Sequence, residues 1–575
     1  MATNKQKERF AELERLALAA GLEPYDVHFF EVPVEIIYEV ASYGLPTRYS
    51  HWSFGKVYQY QRTQGEMGFS KIYELILNNN PSYAFLDKNN TDTTNLLVAA
   101  HCFAHSDFFR NNIMFRECGE ESMIQVAKRH ADIIDRYRQD YGDNEVDDWL
   151  DIALALERHI DIYKGLRRKR YEKRHVAYEE RSRKPYEDVA GGESEPLVKK
   201  IVRNIHIPPK PEKDILWFLL EYSNLEPWQK QIFEIVRRES YYFYPQFRTK
   251  IMNEGWASYW HAELMRQYSF GNKNDLGVEG LQHPLTAEEH LDFLASHEKV
   301  VQPGLKIPLK IEYEDVDPMT GKKVKKKGWN PKVSENPNLF RLATRLNPYY
   351  VGFRMFRDIK ERWDRYYEQG YYEDEWGNRV PVSVNGDQKI LQVRAEEDDV
   401  SFFRNYLTDE LAEELHLFSF GNNEHYRDDY GTQEEILKRY KENEDDHFGS
   451  LSIDEQIVEN KTYIVRSKEL DDIISHFARS RSNYGVPSIV IRRVDEAGLL
   501  RLEHVRDESV NVDITYAEHV LRYVHKAWGR PVEMIRKETD DRTWIMRFDG
   551  VTFEIDHDTG DYPESVESNN LPSSW

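Results

Sequence analysis

The stretch "LVAAHCFAHSDFFRNN", Leu97 to Asn112, decides how the chain is read. Its apolar residues recur at helical spacing with no Gly or Pro to interrupt them, so it predicts a helix buried on most sides. Among the polar residues that break that apolar surface are His101 and His105. They are four apart, which puts both rings on one helical face at the spacing with which two imidazoles share a metal ion. A histidine pair of this kind is a weak signal alone, because helical histidines are more often satisfied by ordinary hydrogen bonds. The apolar setting strengthens it, since buried imidazoles must find partners or cost stability.

Outward from this helix the same periodicity continues. "FSKIYELILN" and "MIQVAKRHADIIDRYRQDYG" read as helices. So do "EKDILWFLLEYS", "NLFRLATRL", "VGFRMFRDIKERWDRYYEQG" and the long aromatic run "EPWQKQIFEIVRRESYYFYPQFRTKIMNEGWASYWHAELM", which Pro245 is expected to interrupt. "DDVSFFRNYLTDELAEELHLFSFG" reads as an N-capped helix pair, "RSRKPYEDVAGGESEPL" as an exposed loop, and "LKIEYEDV" with "KVKKKGW" as a hairpin about the turn "DPMTGKK". From Gln433 the pattern changes. "KTYIVRS", "SIVIRRVDEAGLLRLEHVR" and "PVEMIRKETDDRTWIMRFDGVTFEID" alternate like strands, with helices at "LDDIISHFARS" and "YAEHVLRYVHKAW". The expected fold is therefore a mainly α N-terminal domain, residues 1–432, carrying the site. A small α+β C-terminal domain, residues 433–575, follows the polar seam "KENEDDHFGS" and ends in a frayed tail.

Composition narrows the function classes. The chain has 575 residues and a formal net charge of −23. An acidic surface disfavours unspecific binding to nucleic acid or anionic membranes. The basic run Arg167, Arg168, Lys169 and Arg170 is read as a solvated helix face rather than an RNA contact. With only Cys102 and Cys118, a disulfide framework is excluded and a reducing compartment fits. No apolar run reaches the ~18 residues of a membrane span. The N-terminus lacks a signal-peptide core, so a soluble cytoplasmic protein is expected.

The second informative stretch is "MNEGWASYWH", Met252 to His261. Glu254 and His261 are seven apart, two turns along one helical face. Glu254 sits among Trp256, Tyr259 and Trp260, and a buried carboxylate needs a cation or donors. His101, His105 and Glu254 would satisfy one another through a divalent metal, zinc by donor type. In the zinc-peptidase signature H-E-x-x-H, the residue after the first histidine is the glutamate that activates water. Here it is Cys102, which points about 100° away from His101. The base is thus relocated or missing. The candidates are His261, first, then His159, with Asp107 and Glu74 as nearby carboxylates.

"HWSFGK", "YELILNNNPSYAFL", "AHCFAHSDFFRNN", "PWQKQIFEIVRRESYYFYPQ", "TKIMNEGWASYWH", "HEKVVQPG", "LNPYYVGFRMFRDIKE" and "FFRNYLT" occur in one order between about residues 25 and 420. Together they resemble the stage V sporulation protein R (SpoVR) family. The C-terminal domain resembles it more loosely. The resemblance implies a link to spore-cortex formation in spore formers. It also implies a serine protein kinase and an acidic protein as partners, and His159 matches one of the family's histidine blocks. "EGWA" is similar to a segment of gluzincin-like metallopeptidases whose glutamate is the third zinc ligand, which implies His101, His105 and Glu254 as the ligand set. Two functions are expected from this: a metal-dependent hydrolase of amide or peptide bonds, or a non-catalytic regulatory protein in which the metal or buried polar cluster is structural.

Overall fold

The computed structural model describes residues 4–66, 74–116, 123–171, 174–180, 198–204, 207–302, 310–316, 323–329, 346–374, 376–415, 417, 419–422, 463–505, 510, 512, 514–537 and 543–558. Cys118, the loop 181–197, the turn 317–322, most of "NLFRLATRL", the seam 441–450 and the tail 559–575 lie outside these residues. The described part is mostly helical, with a small sheet near the C-terminus. Among the described residues, no helix is long and apolar enough to cross a membrane.

The chain divides into two units. The first comprises Met1–Val146 and Tyr242–Tyr484, the second Asp147–Tyr241 and Gly485–Trp575. This differs from the division expected at residue 432, and both units are discontinuous in sequence.

In the first unit, α1 (Asn4–Ala19), α2 (Asp92–Asn111), α3 (Lys250–Ser269), α4 (Ala287–Val300), α5 (Pro348–Gln369), α6 (Gly386–Glu396), α7 (Asp399–Tyr406) and α8 (Leu470–Arg481) supply the framework. Helix α2 starts where Thr91 accepts from Thr94 N, and it is buried along nearly its whole length. Helix α3 is equally enclosed, and these two pack together with α1 and α5 around Leu13, Leu16, Ala100, Phe108, Met252, Trp256, Met355 and Phe356. The α3–α5 crossing is close because Gly255 meets Gly352. A Cβ at Gly255 would lie 2.3 Å from Gly352 Cα.

A three-stranded sheet lies in the same unit: β1 (Val27–Val32), β2 (Glu74–Leu77) and β3 (Ser82–Asp87), in the order β1-β3-β2. β1 is parallel to β3, with Val27 opposite Ser82, and β2 is antiparallel, with Leu77 opposite Tyr83. The helix expected in "FSKIYELILN" is corrected by β2. A short apolar run fits either period, and cross-strand pairing decides for the strand. Pro245 does not stop its helix either. The helix runs from Pro227 to Arg248 and breaks at Thr249, where φ is −124°. The proline stands within a turn of that end, so the ladder loses little beyond the one N–H it lacks. The hairpin is present, with Lys310–Val316 antiparallel to Lys323–Trp329. The helix pair at 399–414 is N-capped by Asp398 and Thr408.

The second unit holds β4 (Ile489–Val494), β5 (Leu500–His504), β6 (Val532–Lys537), β7 (Thr543–Phe548) and β8 (Phe553–Asp558) in sequential order. β5 and β6 are parallel and the other pairs antiparallel. The parallel pair needs a crossover, which α9 (Ile514–Trp528) supplies. Residues far upstream belong to this unit. Glu212 bridges Ile491, and Phe218 of the short helix Ile215–Tyr222 meets Trp528 at 6.0 Å between centroids.

Candidate metal centre

Helices α2 and α3 place the site, and two buried carboxylates, Asp107 and Asp399, fix them. Asp107 on α2 accepts from Trp256 Nε1 on α3 (2.9 Å), from Arg394 Nη1 on α6 (2.9 Å) and from Glu23 N (2.7 Å). Burial pushes the Asp107 carboxyl up, and Arg394 only partly offsets it. Asp399 on α7 caps α3 by accepting from Ile251 N (3.0 Å) and Met252 N (2.9 Å), two of the donors a helix start leaves open. Glu254, one turn into α3, thereby faces the histidine side of α2.

His101 Nε2 lies 3.6 Å and His105 Nε2 3.5 Å from Glu254 Oε2. All three ligand atoms fall within 4.8 Å of one another. These separations are too long for good hydrogen bonds. The two nitrogen–oxygen separations come close to the edge of a tetrahedron about a metal, where ligands at ~2.1 Å stand ~3.4 Å apart. Glu254 Oε2 is buried and accepts no hydrogen bond from the described residues. Burial alone would raise this carboxyl; the imidazoles of His101 and His105 outweigh it and hold the group well below the usual carboxylate range.

The other ring nitrogens are engaged. His105 Nδ1 donates to Asn253 Oδ1 at 2.9 Å, which frees Nε2 to serve as a metal ligand once it carries no proton. His101 Nδ1 shares a hydrogen bond with His261 Nδ1 at 2.8 Å, and His261 Nε2 shares one with His297 Nδ1 on α4 at 2.7 Å. Both outer rings favour the neutral form. Burial, then His101, His297 and His105, lower His261 well below the ordinary histidine value, and burial with His101 brings His297 to about 4. Tyr349, at the start of α5, stacks on His101 at 5.9 Å and 25°. Two imidazole nitrogens turned toward a carboxylate oxygen that accepts no hydrogen bond from the described residues fit a divalent ion.

His101, His105, Glu254 and His261 thus come together. His159 belongs to the second unit, where desolvation of the half-buried residue, then Arg158, brings its ring to about 4. Cys102 is buried on α2 and is not in the ligand group. Asp107 is committed to Trp256, Arg394 and Glu23. The side chain of Glu74 lies outside the described residues. Of the basic run, Arg168 pairs with Glu212 (2.6 Å) and sits 3.5 Å over the Trp217 ring, and Arg170 pairs with Glu221 (2.7 Å). Asn253, His297 and Tyr349 are functional neighbours that the sequence did not single out. Only adjacency to Glu254, and the blocks "HEKVVQPG" and "LNPYYVGF", marked them.

A helical unit with two buried histidines and a half-buried glutamate between two helices defines the class, a mostly α protein with a metal-type donor set. The chain belongs to the SpoVR family, whose profile, described as "SpoVR like protein", matches residues 2–445. It is 28% identical over 555 residues to "Uncharacterized protein YcgB" of Escherichia coli (strain K12), covering 92% of this chain and 91% of that protein. That share is more than residues 2–445 can supply, so the similarity extends beyond the family match. No solved structure matches the chain.

Proposed function

We propose that His101, His105 and Glu254 hold a divalent metal, zinc by donor set, as the centre of a cytoplasmic, gluzincin-like hydrolase of amide or peptide bonds. The observation that carries the metal is Glu254 Oε2: buried, without a hydrogen bond among the described residues, and a tetrahedral edge away from two Nε2 atoms. When bound, the ion would supply Lewis acidity for polarising an amide carbonyl. The chain's own residues do the rest. His101, His105 and Glu254 ligate, while Asn253 and His261 set the ring planes and tautomers.

His261, first choice for the missing base, already uses both nitrogens on His101 and His297. That supports an orienting role over proton abstraction. His159 lies in the second unit and has no part in this reading.

A second reading is favoured by a specific observation: among the described residues the cluster contains no further carboxylate to serve as base. In that reading the metal is structural, and the protein works as a regulatory partner of a serine protein kinase and an acidic protein. The test is metal content of the purified full chain by mass spectrometry, with amidase and peptidase turnover measured before and after chelation. One zinc per chain with chelator-sensitive turnover supports the hydrolase. Zinc without turnover supports the regulatory reading. A chain that takes up no divalent metal overturns both metal readings.

A further inference from the structure

We propose that His297 is a positioning residue of the metal centre, setting the tautomer and orientation of the ligand His101 through His261. The inference rests on the metal reading above. It follows from counting protons along three rings on three helices. A neutral imidazole that gives Nε2 to a metal carries its single proton on Nδ1. His101 Nδ1 is 2.8 Å from His261 Nδ1, so this bond runs from His101 to His261. His261 accepts at Nδ1 and, as a neutral ring, bears its proton on Nε2. That nitrogen is 2.7 Å from His297 Nδ1, so His297 accepts and bears its own proton on Nε2. The opposite order would place a proton on His101 Nε2, where the ligand lone pair has to be. Ligation at His101 and acceptance at His297 are therefore two ends of one proton arrangement.

The geometry holds His297 to this task. It stands in the last turn of α4, with Phe353 edge-on at 5.3 Å and 74° and Phe293 at 6.0 Å. His261, between the two outer rings, is fully buried, so losing its acceptor strands an N–H where water does not easily replace it. The other ligand shows what is required of such an acceptor. His105 Nδ1 ends on an amide oxygen, Asn253 Oδ1. An asparagine at 297 would place its oxygen close to where Nδ1 now sits, whereas a leucine would offer nothing.

The test compares full-length wild type, His297→Asn and His297→Leu in zinc titrations against a chromophoric chelator. Side-chain nitrogen spectra of histidine-labelled protein are recorded beside them. Expected are a loss of zinc affinity of about 10-fold or more in His297→Leu and about 3-fold or less in His297→Asn, with the His297 ring of zinc-loaded wild type protonated at Nε2. His297→Leu binding zinc like wild type, or His297→Asn as weak as His297→Leu, overturns the proposal. So does a His297 ring protonated at Nδ1. If His297→Leu fails to fold, the asparagine variant and the spectra decide. Wild type that binds no zinc at all overturns the metal reading itself; zinc-binding wild type with an indifferent position 297 overturns only this inference.

Discussion

Glu254 carries the most informative atom in the molecule. Its Oε2 is buried without a hydrogen bond among the described residues, yet two imidazole nitrogens stand 3.5 and 3.6 Å away. A carboxylate in that position is held by weak attraction until an ion fills the gap. Glu254→Gln keeps the shape and removes the charge. Its metal-free melting temperature is expected to fall with the lost attraction to the two imidazoles, while the stabilisation by zinc disappears. For wild type that stabilisation is about 2.7 kcal/mol at zinc a hundredfold above Kd. Thermal melts with and without zinc measure it, and an undiminished zinc shift in the variant would remove Glu254 from the ligand set. His101, His105 and Glu254 were legible in the sequence because helical spacing and apolar neighbours are local facts. His261 was legible as a residue on the face of Glu254 but its ring partners were not, since a spacing of seven names a face and not the ring that face meets. Asn253 and His297 act as acceptors across helices, and no periodicity records that.

At the scale of elements, the site depends on how α3 is seated, and two features seat it. The first is the glycine crossing. With a Cβ at 255 only 2.3 Å from Gly352 Cα and one at 352 only 2.2 Å from Ile251 O, backbone rather than a flexible side chain must move. Gly255→Ala should cost about 1–3 kcal/mol and weaken zinc binding at the adjacent Glu254. Denaturant unfolding and a zinc titration report the two effects, and a variant as stable as wild type would show that the helices can part freely. The second is the Asp399 cap. Burial raises this carboxyl to about 7 against the opposing pull of Ile251 N, Met252 N and Arg481. Because its folded pKa lies above the unfolded value near 3.8, its contribution is complete below pH ~4 and is lost as pH rises through ~7. Wild-type stability should carry this downward slope between those values, and Asp399→Asn should flatten it. Parallel pH profiles from the two proteins would sink the assignment. Helices α2 and α3 could be read from pattern because each is long and enclosed. β2 could not: three apolar residues in a row satisfy both periods, and its pairing with β3 is a tertiary fact.

At the scale of the whole molecule, the boundary expected at Gln433 lies outside the described residues, and the described residues beyond it divide between the two units. The strand Tyr463–Ser467 pairs with Ser419–Asn422, and Phe477 of α8 stacks on Phe403 of α7 at 3.7 Å and 13°. Residues 463–481 therefore complete the first unit. Residues 147–241 share the second unit with the sheet, through the Glu212–Ile491 bridge and the contact of Phe218 with Trp528. A linear scan sees only neighbours in sequence, so it cannot see that this unit is assembled from two distant segments. The consequence is testable with a fragment of residues 1–432. It would expose Phe403, now 1% accessible, by removing α8, at a cost of about 2–3 kcal/mol for the lost Phe477 burial alone. It would also leave Phe218 of the apolar helix Ile215–Tyr222 without Trp528 of α9. Such a fragment should be insoluble or melt without cooperativity, whereas residues 1–558 should melt as sharply as the full chain. Calorimetry on both fragments decides. A soluble, cooperatively melting 1–432 would mean that the upstream segment 147–241 folds without the sheet, and the two-segment second unit would have to be abandoned.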